Sequence, residues 1–400
     1  MTALSLALRF MLVAAAVSIV TEQLRVPYTI ALVVAGLVIG NMHLAPPIPV
    51  TPEILLTLLI PPLLFEGGLR LPPRHLKTYW GLIGLLAIPG ALLTALAIGW
   101  IVSVLFHVDL RSALLLGAII SATDPVSVQA LLREAQLDLR LGTVLNGEAV
   151  LNDGVAIILF TIVGAGATVG LFDAALRFLW LLGGGVAIGG IVAAATAYAL
   201  EQTRRPLVEV LGSLIASLGA LIVAGSLGAS GVIAVVAAGV VFAGYGTRHL
   251  TDAGRETVNT IWDMIAFLAN SVLFLLIGID VPVGLLGRYW PLIAVVVGAG
   301  LIVRWAIVYG SAAIWQLRMP VLPHGWPPVL VWSGLRGGVA IALALDLAPG
   351  LPGRDAIVAA AFGVVVFTLL VQGLSIRPVL RWAGLLPGPQ GPQVVPGAPP

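Results

Sequence analysis

Long apolar runs follow one another along almost the whole chain, separated by short stretches that carry charges or prolines. A helix needs about 20 mainly apolar residues to cross a bilayer. We therefore predict about thirteen membrane-spanning helices within residues 1–386, which form one transmembrane domain. The predicted spans are 3–21, 26–41, 52–69, 76–106, 111–134, 140–166, 172–200, 207–227, 230–245, 256–279, 288–317, 327–347 and 355–381. Residues 387–400 are rich in proline and glycine, which predicts a disordered tail.

The composition supports a membrane protein and excludes several other classes. Of the 400 residues, 60% are hydrophobic and 10% are charged, and the mean hydropathy is +1.09. A soluble domain has about 25% charged residues, so the predicted fold class is a polytopic all-α membrane protein. The chain has no cysteine and its five histidines are not at metal-ligand spacing, so we expect no resident cofactor. A net charge of +2 gives no reason to expect a nucleic-acid partner.

The basic residues predict the orientation of the chain in a cell membrane, because cytoplasmic loops carry an excess of lysine and arginine. With the C-terminus in the cytoplasm, 13 basic residues fall on the cytoplasmic side and 5 on the outer side. This asymmetry fits an odd number of spans with the N-terminus outside. Shifting the first six spans by about 205 to 212 positions lays them over the last six, which predicts an inverted repeat of the kind found in secondary transporters.

Two predicted spans are interrupted at matching places of the repeat. The fifth contains "ISATDPVSV", where Pro125 has no amide hydrogen and moves Asp124 away from helical geometry. Its repeat partner, the twelfth, contains "WSGLRGGVA", with three glycines around Arg336. Interrupted helices near the middle of a bilayer expose backbone groups that bind ions. Both interruptions therefore predict a transport site.

The charges inside the apolar spans indicate the transported species. Such charges are costly and are usually functional. Four are acids and two are bases, namely Glu66, Asp124, Glu148, Asp153, Arg304 and Arg336. The formal deficit of two positive charges has to be made up by protons or cations in a medium of low dielectric constant. A site that accepts either one, but not both together, can exchange a cation for a proton.

Helical phase separates the two acids of "GEAVLNDG". At about 100° per residue, Glu148 and Asp153 point roughly 140° apart, so they are not expected to serve one site. We expect Asp153 to face Asp124 at the ion site. Glu148 then needs another partner, and an arginine on a neighbouring helix would suit it. Asp263 and Asp280 lie near the ends of the tenth span and are expected at the membrane interface.

Five motifs together resemble the NhaP-type sodium–proton antiporters, prokaryotic relatives of the eukaryotic NHE exchangers. They are "LLFEGGL", "TDP", "GEAVLNDG", "FLANSVLFLLIG" and "GLRGGVAIALAL", and the resemblance covers about residues 5–382. It implies thirteen helices and a homodimer. The fourth to sixth and eleventh to thirteenth predicted spans would form the ion-translocation core. This core would move against an interface formed by the first to third and eighth to tenth spans.

The resemblance also implies roles for residues at the ion site. Asp153, next to Asn152, would carry either the proton or the cation, and Asp124 would contribute to the same site. Thr123 would supply its carbonyl oxygen, and Glu66 is the equivalent of a ligand in some members. The substrates would be protons and sodium or lithium, with potassium as the alternative cation.

The resemblance also implies a structural ion pair between Glu148 and Arg304. It places Arg336 at the break of the twelfth predicted span. Where some members carry a serine, this chain has Ala149, so a hydroxyl ligand is absent and the choice of cation stays open.

The stoichiometry is predicted from Asn152, because electrogenic relatives of this fold have a second aspartate there, paired with a lysine. The only lysine of this chain is Lys77, which we place in a cytoplasmic loop. Arginine does not release protons in proteins, so we expect electroneutral one-for-one exchange. Two other readings are an intramembrane aspartyl protease, although the chain has no GxGD motif, and a cation channel, which the inverted repeat disfavours.

Overall fold

The computed structural model describes residues 3–24, 27–42, 51–124, 138–166, 170–201, 203, 205–317 and 322–386, and these residues form helices and no strand. The predicted all-α fold is therefore confirmed. Some predictions fall outside the described residues: the tail 387–400, Pro125 and Ser127 of the first interruption, and the basic residues Arg25, Arg133, Arg204 and Arg318.

The first half of the chain contains eight of the described α-helices. They are α1 (Ala3–Leu24), α2 (Tyr28–Asn41), α3 (Ile60–Leu69), α4 (Pro73–Phe106), α5 (Leu110–Ser121), α6 (Leu139–Gly164), α7 (Leu171–Leu179) and α8 (Gly185–Leu200). A π-helical turn at Ile54–Leu59 leads into α3, and another at Trp180–Gly184 joins α7 to α8.

The second half contains nine of the described α-helices. They are α9 (Pro206–Ser226), α10 (Gly231–Gly244), α11 (Asp252–Ile279), α12 (Val283–Arg288), α13 (Trp290–Gln316), α14 (Trp326–Trp332), α15 (Gly338–Leu345), α16 (Arg354–Phe367) and α17 (Leu374–Trp382). A short 3₁₀ helix covers Gly246–Arg248, and a π-helical turn at Thr368–Gly373 joins α16 to α17.

Seven stretches of the described residues are long and apolar enough to cross a membrane: α4, α6, α7–α8, α9, α11, α13 and α16–α17. Every one of the thirteen predicted spans contains helix. The number of crossings stays a prediction, because α1, α2, α3, α5 and α10 are shorter apolar helices.

Two local features differ from the sequence prediction, namely the start of α4 and the presence of α12. The prediction that Lys77 lies in a loop is wrong, because α4 begins at Pro73 and Lys77 is exposed in its first turns. Proline is tolerated at the first helical positions, where its missing amide hydrogen is not needed. The short helix α12 was not predicted, since six residues between two long spans read as a loop.

The helices pack as two bundles. In one, α4 packs against α5, α6 and α13, and α16 packs against α13, α15 and α5. In the other, α10 packs against α3, α8 and α9, and α11 packs against α2, α3 and α9. Fewer contacts join the bundles. They include those of α6 with α3 and α10, those of α15 with α11 and the turn before α3, and smaller ones of α4 with α10 and of α2 with the turn at Thr368–Gly373. The interruptions of the fifth and twelfth spans both belong to the first bundle.

Glycines allow the closest helix crossings. A Cβ atom at Gly117 of α5 would overlap the carbonyl oxygen of Ala95 in α4. In the second bundle, Gly36 of α2 and Gly278 of α11 face each other's backbones in the same way. Small residues are the usual means of bringing membrane helices into backbone contact.

We predict that Gly117→Ala destabilises the protein by about 1–3 kcal/mol, because the added methyl group forces α5 away from α4. The matched control is Gly298→Ala in α13, where a Cβ atom would meet nothing within 4 Å. Thermal unfolding in detergent, followed by the fraction that stays monodisperse, measures both. Equal unfolding temperatures for the two variants would contradict the prediction.

Candidate functional site

The two interruptions meet within the described residues and are joined through their backbones, and the place where they meet is called the crossing. Helix α5 ends at Ser121, and Ala122 continues in an extended conformation. The second interruption covers Ser333–Gly337, between α14 and α15. At the crossing, the backbone amide of Asp124 donates a hydrogen bond of 2.8 Å to the carbonyl oxygen of Leu335.

Side chains satisfy the carbonyl groups that the end of α5 leaves without helical partners. Arg336 donates from Nη1 to the carbonyl oxygens of Ser121 and Ala122, both at 2.8 Å. Asn152 of α6 donates from Nδ2 to the carbonyl oxygen of Ser121 at 2.8 Å and to Oγ1 of Thr123 at 3.2 Å. The guanidinium group is also well placed at the negative end of the helix dipole of α5.

Asp153 lies one residue further along α6 and is buried beside the same crossing. Its Oδ1 atom accepts a hydrogen bond of 3.2 Å from the backbone amide of Thr123. Asp153 and Asp124 line one cavity of about 30 Å³, together with Thr123 and Asn270. Gly337 makes room for Asp124, since a Cβ atom there would lie 2.6 Å from the aspartate Cβ.

This cavity is small and presents two carboxylates to one space. Its volume exceeds the roughly 10–15 Å³ that a cavity needs to hold one water molecule. Two buried carboxylates that face one space disfavour double ionisation unless a proton or a cation lies between them. The only guanidinium group hydrogen-bonded at this crossing, within the described residues, is that of Arg336.

Glu148 points to the other side of α6. Arg304 of α13 contacts both carboxylate oxygens, through Nη1 to Oε1 and through Nη2 to Oε2, the second at 2.9 Å. Arg304 also donates to the carbonyl oxygen of Leu330, at 3.2 Å from Nε and 2.7 Å from Nη2. Both side chains are buried, so α13 is tied to α6 and to the end of α14 by one charged group.

Glu66 is not brought into the Asp153 cavity. It contacts Arg70 one turn later in the chain, and Arg70 also contacts Asp263 of α11. The side chain of Asp263 is about half exposed, at 52%. Asp280 follows the last residue of α11, and burial raises its pKa to about 6. The role of Glu66 as a ligand stays a prediction.

The pattern of buried charges in the sequence does not reveal three uncharged polar side chains that form contacts or line the cavity in these spans. Asn270 lines the cavity, Asn146 of α6 donates to the carbonyl oxygen of Gly67, and Thr368 accepts from the backbone amide of Arg336. Each lies within an otherwise apolar span. Uncharged polar residues in such spans were the available signal, but they are too common in membrane helices to single out three.

Comparison with known proteins identifies relatives of this chain by sequence and a solved structure with the same fold. The family model described as "Sodium/hydrogen exchanger, transmembrane" matches residues 10–382. The Na⁺/H⁺ antiporter ApNhaP of Aphanothece halophytica is 37% identical over 370 residues, which cover 90% of this chain and 70% of that protein. The low-affinity Na⁺/H⁺ antiporter NhaS1 of Synechocystis is 36% identical, with the same coverage. Among solved structures, the sodium proton antiporter MjNhaP1 of Methanocaldococcus jannaschii shares the fold, with a TM-score of 0.79 at 18% identity over 95% of this chain and 98% of that one.

We predict that Glu148→Ala and Arg304→Ala each destabilise the protein by about 3–5 kcal/mol, because each leaves a buried charge without its partner. The double variant should recover part of the combined loss. Arg304→Ala should remain the more damaging single change, since it also frees the carbonyl oxygen of Leu330. Unfolding in detergent gives all three values, and strictly additive losses would show that the contact contributes no stability.

Proposed function

Because this chain belongs to the sodium/hydrogen exchanger family, it is a multi-pass membrane transporter that exchanges sodium ions for protons, and we propose that Asp153 is the carboxylate that binds both. The observation that carries the proposal is the pair of buried carboxylates, Asp153 and Asp124, on one small cavity at the crossing of two interrupted helices. The protein is accordingly a transporter and not an enzyme, which sets aside the protease reading.

Each half of the exchange uses the same oxygen atoms. With a cation in the cavity, Asp153 and Asp124 supply charged ligands, and the Thr123 carbonyl oxygen and the side chain of Asn152 complete and position the site. With a proton on Asp153, the cavity no longer attracts a cation. The Thr123 amide holds Oδ1 of Asp153 and so directs Oδ2 toward the exchanged species.

The charges at the crossing support a one-for-one exchange. Two ionised aspartates and the guanidinium group of Arg336 give a formal charge of −1, which a single sodium ion or a single proton neutralises. Glu148 and Arg304 cancel each other. Asn152 is neutral and already donates to Ser121, and Lys77 is exposed at the start of α4, so neither supplies a second proton to the site.

Movement is proposed to follow the division into two bundles. The bundle of α4, α5, α6 and α13 to α17 would carry the ion. Helices α1 to α3 and α9 to α11 would remain in the dimer interface of a homodimer in the cell membrane, surrounded by lipid, with α7–α8 as the linker between the two halves. Sparse contacts between the bundles support this division. The N-terminus would lie outside and the C-terminus in the cytoplasm, as the basic residues indicate.

Sodium or lithium is the proposed cation, and potassium is the alternative within the same mechanism. Ala149 shares the face of α6 with Asp153 and is buried, and it contributes no hydroxyl ligand. Fewer ligands favour the larger, more easily dehydrated ion, whereas the small cavity favours the smaller one. Cation-induced dequenching of a pH dye in vesicles, with sodium, lithium and potassium in turn, separates these outcomes.

We predict that Asp153→Asn abolishes coupled exchange and leaves the protein folded, because the amide cannot take up or release a proton near neutral pH. Asp173→Asn, in the exposed first turn of α7, is the matched control and should exchange at the wild-type rate. Proton movement in response to a sodium pulse is measured in proteoliposomes. Exchange at the wild-type rate in Asp153→Asn would refute the assignment.

We further predict that the exchange rate is independent of membrane potential, because no net charge crosses the membrane. A potassium–valinomycin potential is imposed on proteoliposomes during sodium-driven proton movement, with a control that the ion replacing potassium is not transported. A strong shift of rate and endpoint with the potential would demonstrate electrogenic exchange instead.

A further inference from the structure

Asn270 of α11 lines the cavity that contains the two carboxylates and has an unpaired oxygen among the described residues. Its side chain is 8% exposed, and Oδ1 has no hydrogen-bond partner among the described residues. It lines the same cavity as Asp153 and Asp124. A buried polar atom without a partner is costly and needs an explanation, and one explanation is a ligand that is bound during function.

We propose that the amide oxygen of Asn270 is a ligand of the transported cation, provided by a helix that carries neither of the ion-binding aspartates. This inference rests on the proposed function of Asp153. An amide oxygen is a hard ligand of the kind that small cations bind, as carboxylate and backbone oxygens are. It adds coordination without adding charge, so the formal charge of −1 at the crossing is unchanged.

The packing of α11 keeps Asn270 at this position. Leu273, one turn further along the same face, lies against Gly338, where any Cβ atom would overlap its side chain. Gly338 is the first residue of α15, directly after the interruption that contains Arg336. The contact therefore holds α11 against the crossing, and a bulkier residue at position 338 would push Asn270 away from it.

The neighbour Ser271 shows that not every polar residue of this segment faces the cavity. Its Oγ atom forms a 2.8 Å hydrogen bond with the hydroxyl of Tyr28 and donates to the carbonyl oxygen of Phe267 at 2.5 Å. Its hydrogen-bonding capacity is used within the second bundle. Ser271 thus provides a control on the same helix for the effect of losing a buried polar atom.

The position of Asn270 makes the ligand set span both bundles. Asp153 and Asp124 belong to the first bundle, whereas α11 packs mainly against α2, α3 and α9. If the first bundle moves past the second, the amide oxygen leaves the cation while the carboxylates travel with it. Asn270 would then strengthen cation binding in the state described here. It would not weaken proton binding to Asp153.

The test compares sodium dependence of exchange in proteoliposomes at pH 8.5 for Asn270→Leu, Asn270→Asp and Ser271→Ala. Leucine has a similar size and no oxygen, so we expect the KM for sodium to rise about tenfold or more while the maximal rate changes less than about threefold. Aspartate keeps an oxygen at the same place and adds charge, so its KM should fall at least about threefold. Ser271→Ala should keep the wild-type KM.

A purely structural role makes the opposite prediction. Asn270→Leu and Asn270→Asp would then lower the maximal rate or the yield of folded protein and leave the KM for sodium within about twofold of wild type, which would overturn the inference. If Asn270→Leu does not fold, the fall in KM of Asn270→Asp decides alone. Absence of sodium-driven exchange in the wild type would instead refute the proposed function, so the two failures are distinguishable.

Discussion

The hydrocarbon core of a membrane offers no water to a buried charge or to a free backbone group, and this constraint governs the site. Interrupting two helices at one place leaves carbonyl and amide groups that the protein itself has to satisfy. Arg336 and Asn152 do so for the end of α5, and the amide of Asp124 pairs with the carbonyl of Leu335. Among the described residues, the amide oxygen of Asn270, which lines the adjacent cavity, has no hydrogen-bond partner.

Helix α6 separates two electrostatic tasks by the angle between its side chains. Glu148 is locked to Arg304 on one side, which fixes α6 relative to α13 with no net charge. Asp153 faces the cavity on the other side, with one hydrogen bond from a backbone amide and no basic partner on its own helix. One helix therefore joins α13 through Glu148 and places Asp153, the carboxylate proposed to exchange, on the cavity, so the two acids are kept apart.

The two-bundle packing connects this chemistry to transport. Glycine-mediated contacts pack the helices of each bundle closely, as at Gly117 in the first and Gly278 in the second. The junction between the bundles has fewer contacts, and the cavity lined by Asp153, Asp124 and Asn270 lies at it. An ion in the cavity would contact residues of both bundles. Its binding would therefore depend on the relative position of the bundles.

The sequence by itself determined the all-α membrane fold, the two interruptions and the identity of the buried charges. The reason is that the hydrocarbon core of a bilayer disfavours polar residues, so long apolar runs and the few charges within them are visible in the sequence. Helical phase alone also separated Glu148 from Asp153. Only the tertiary structure decided which groups meet: that Arg336 binds the end of α5, that Arg70 contacts Asp263 of α11, and that Asn270 approaches from the other bundle. Such contacts join residues up to about two hundred positions apart, and they depend on how helices cross, which the period of a single helix does not encode.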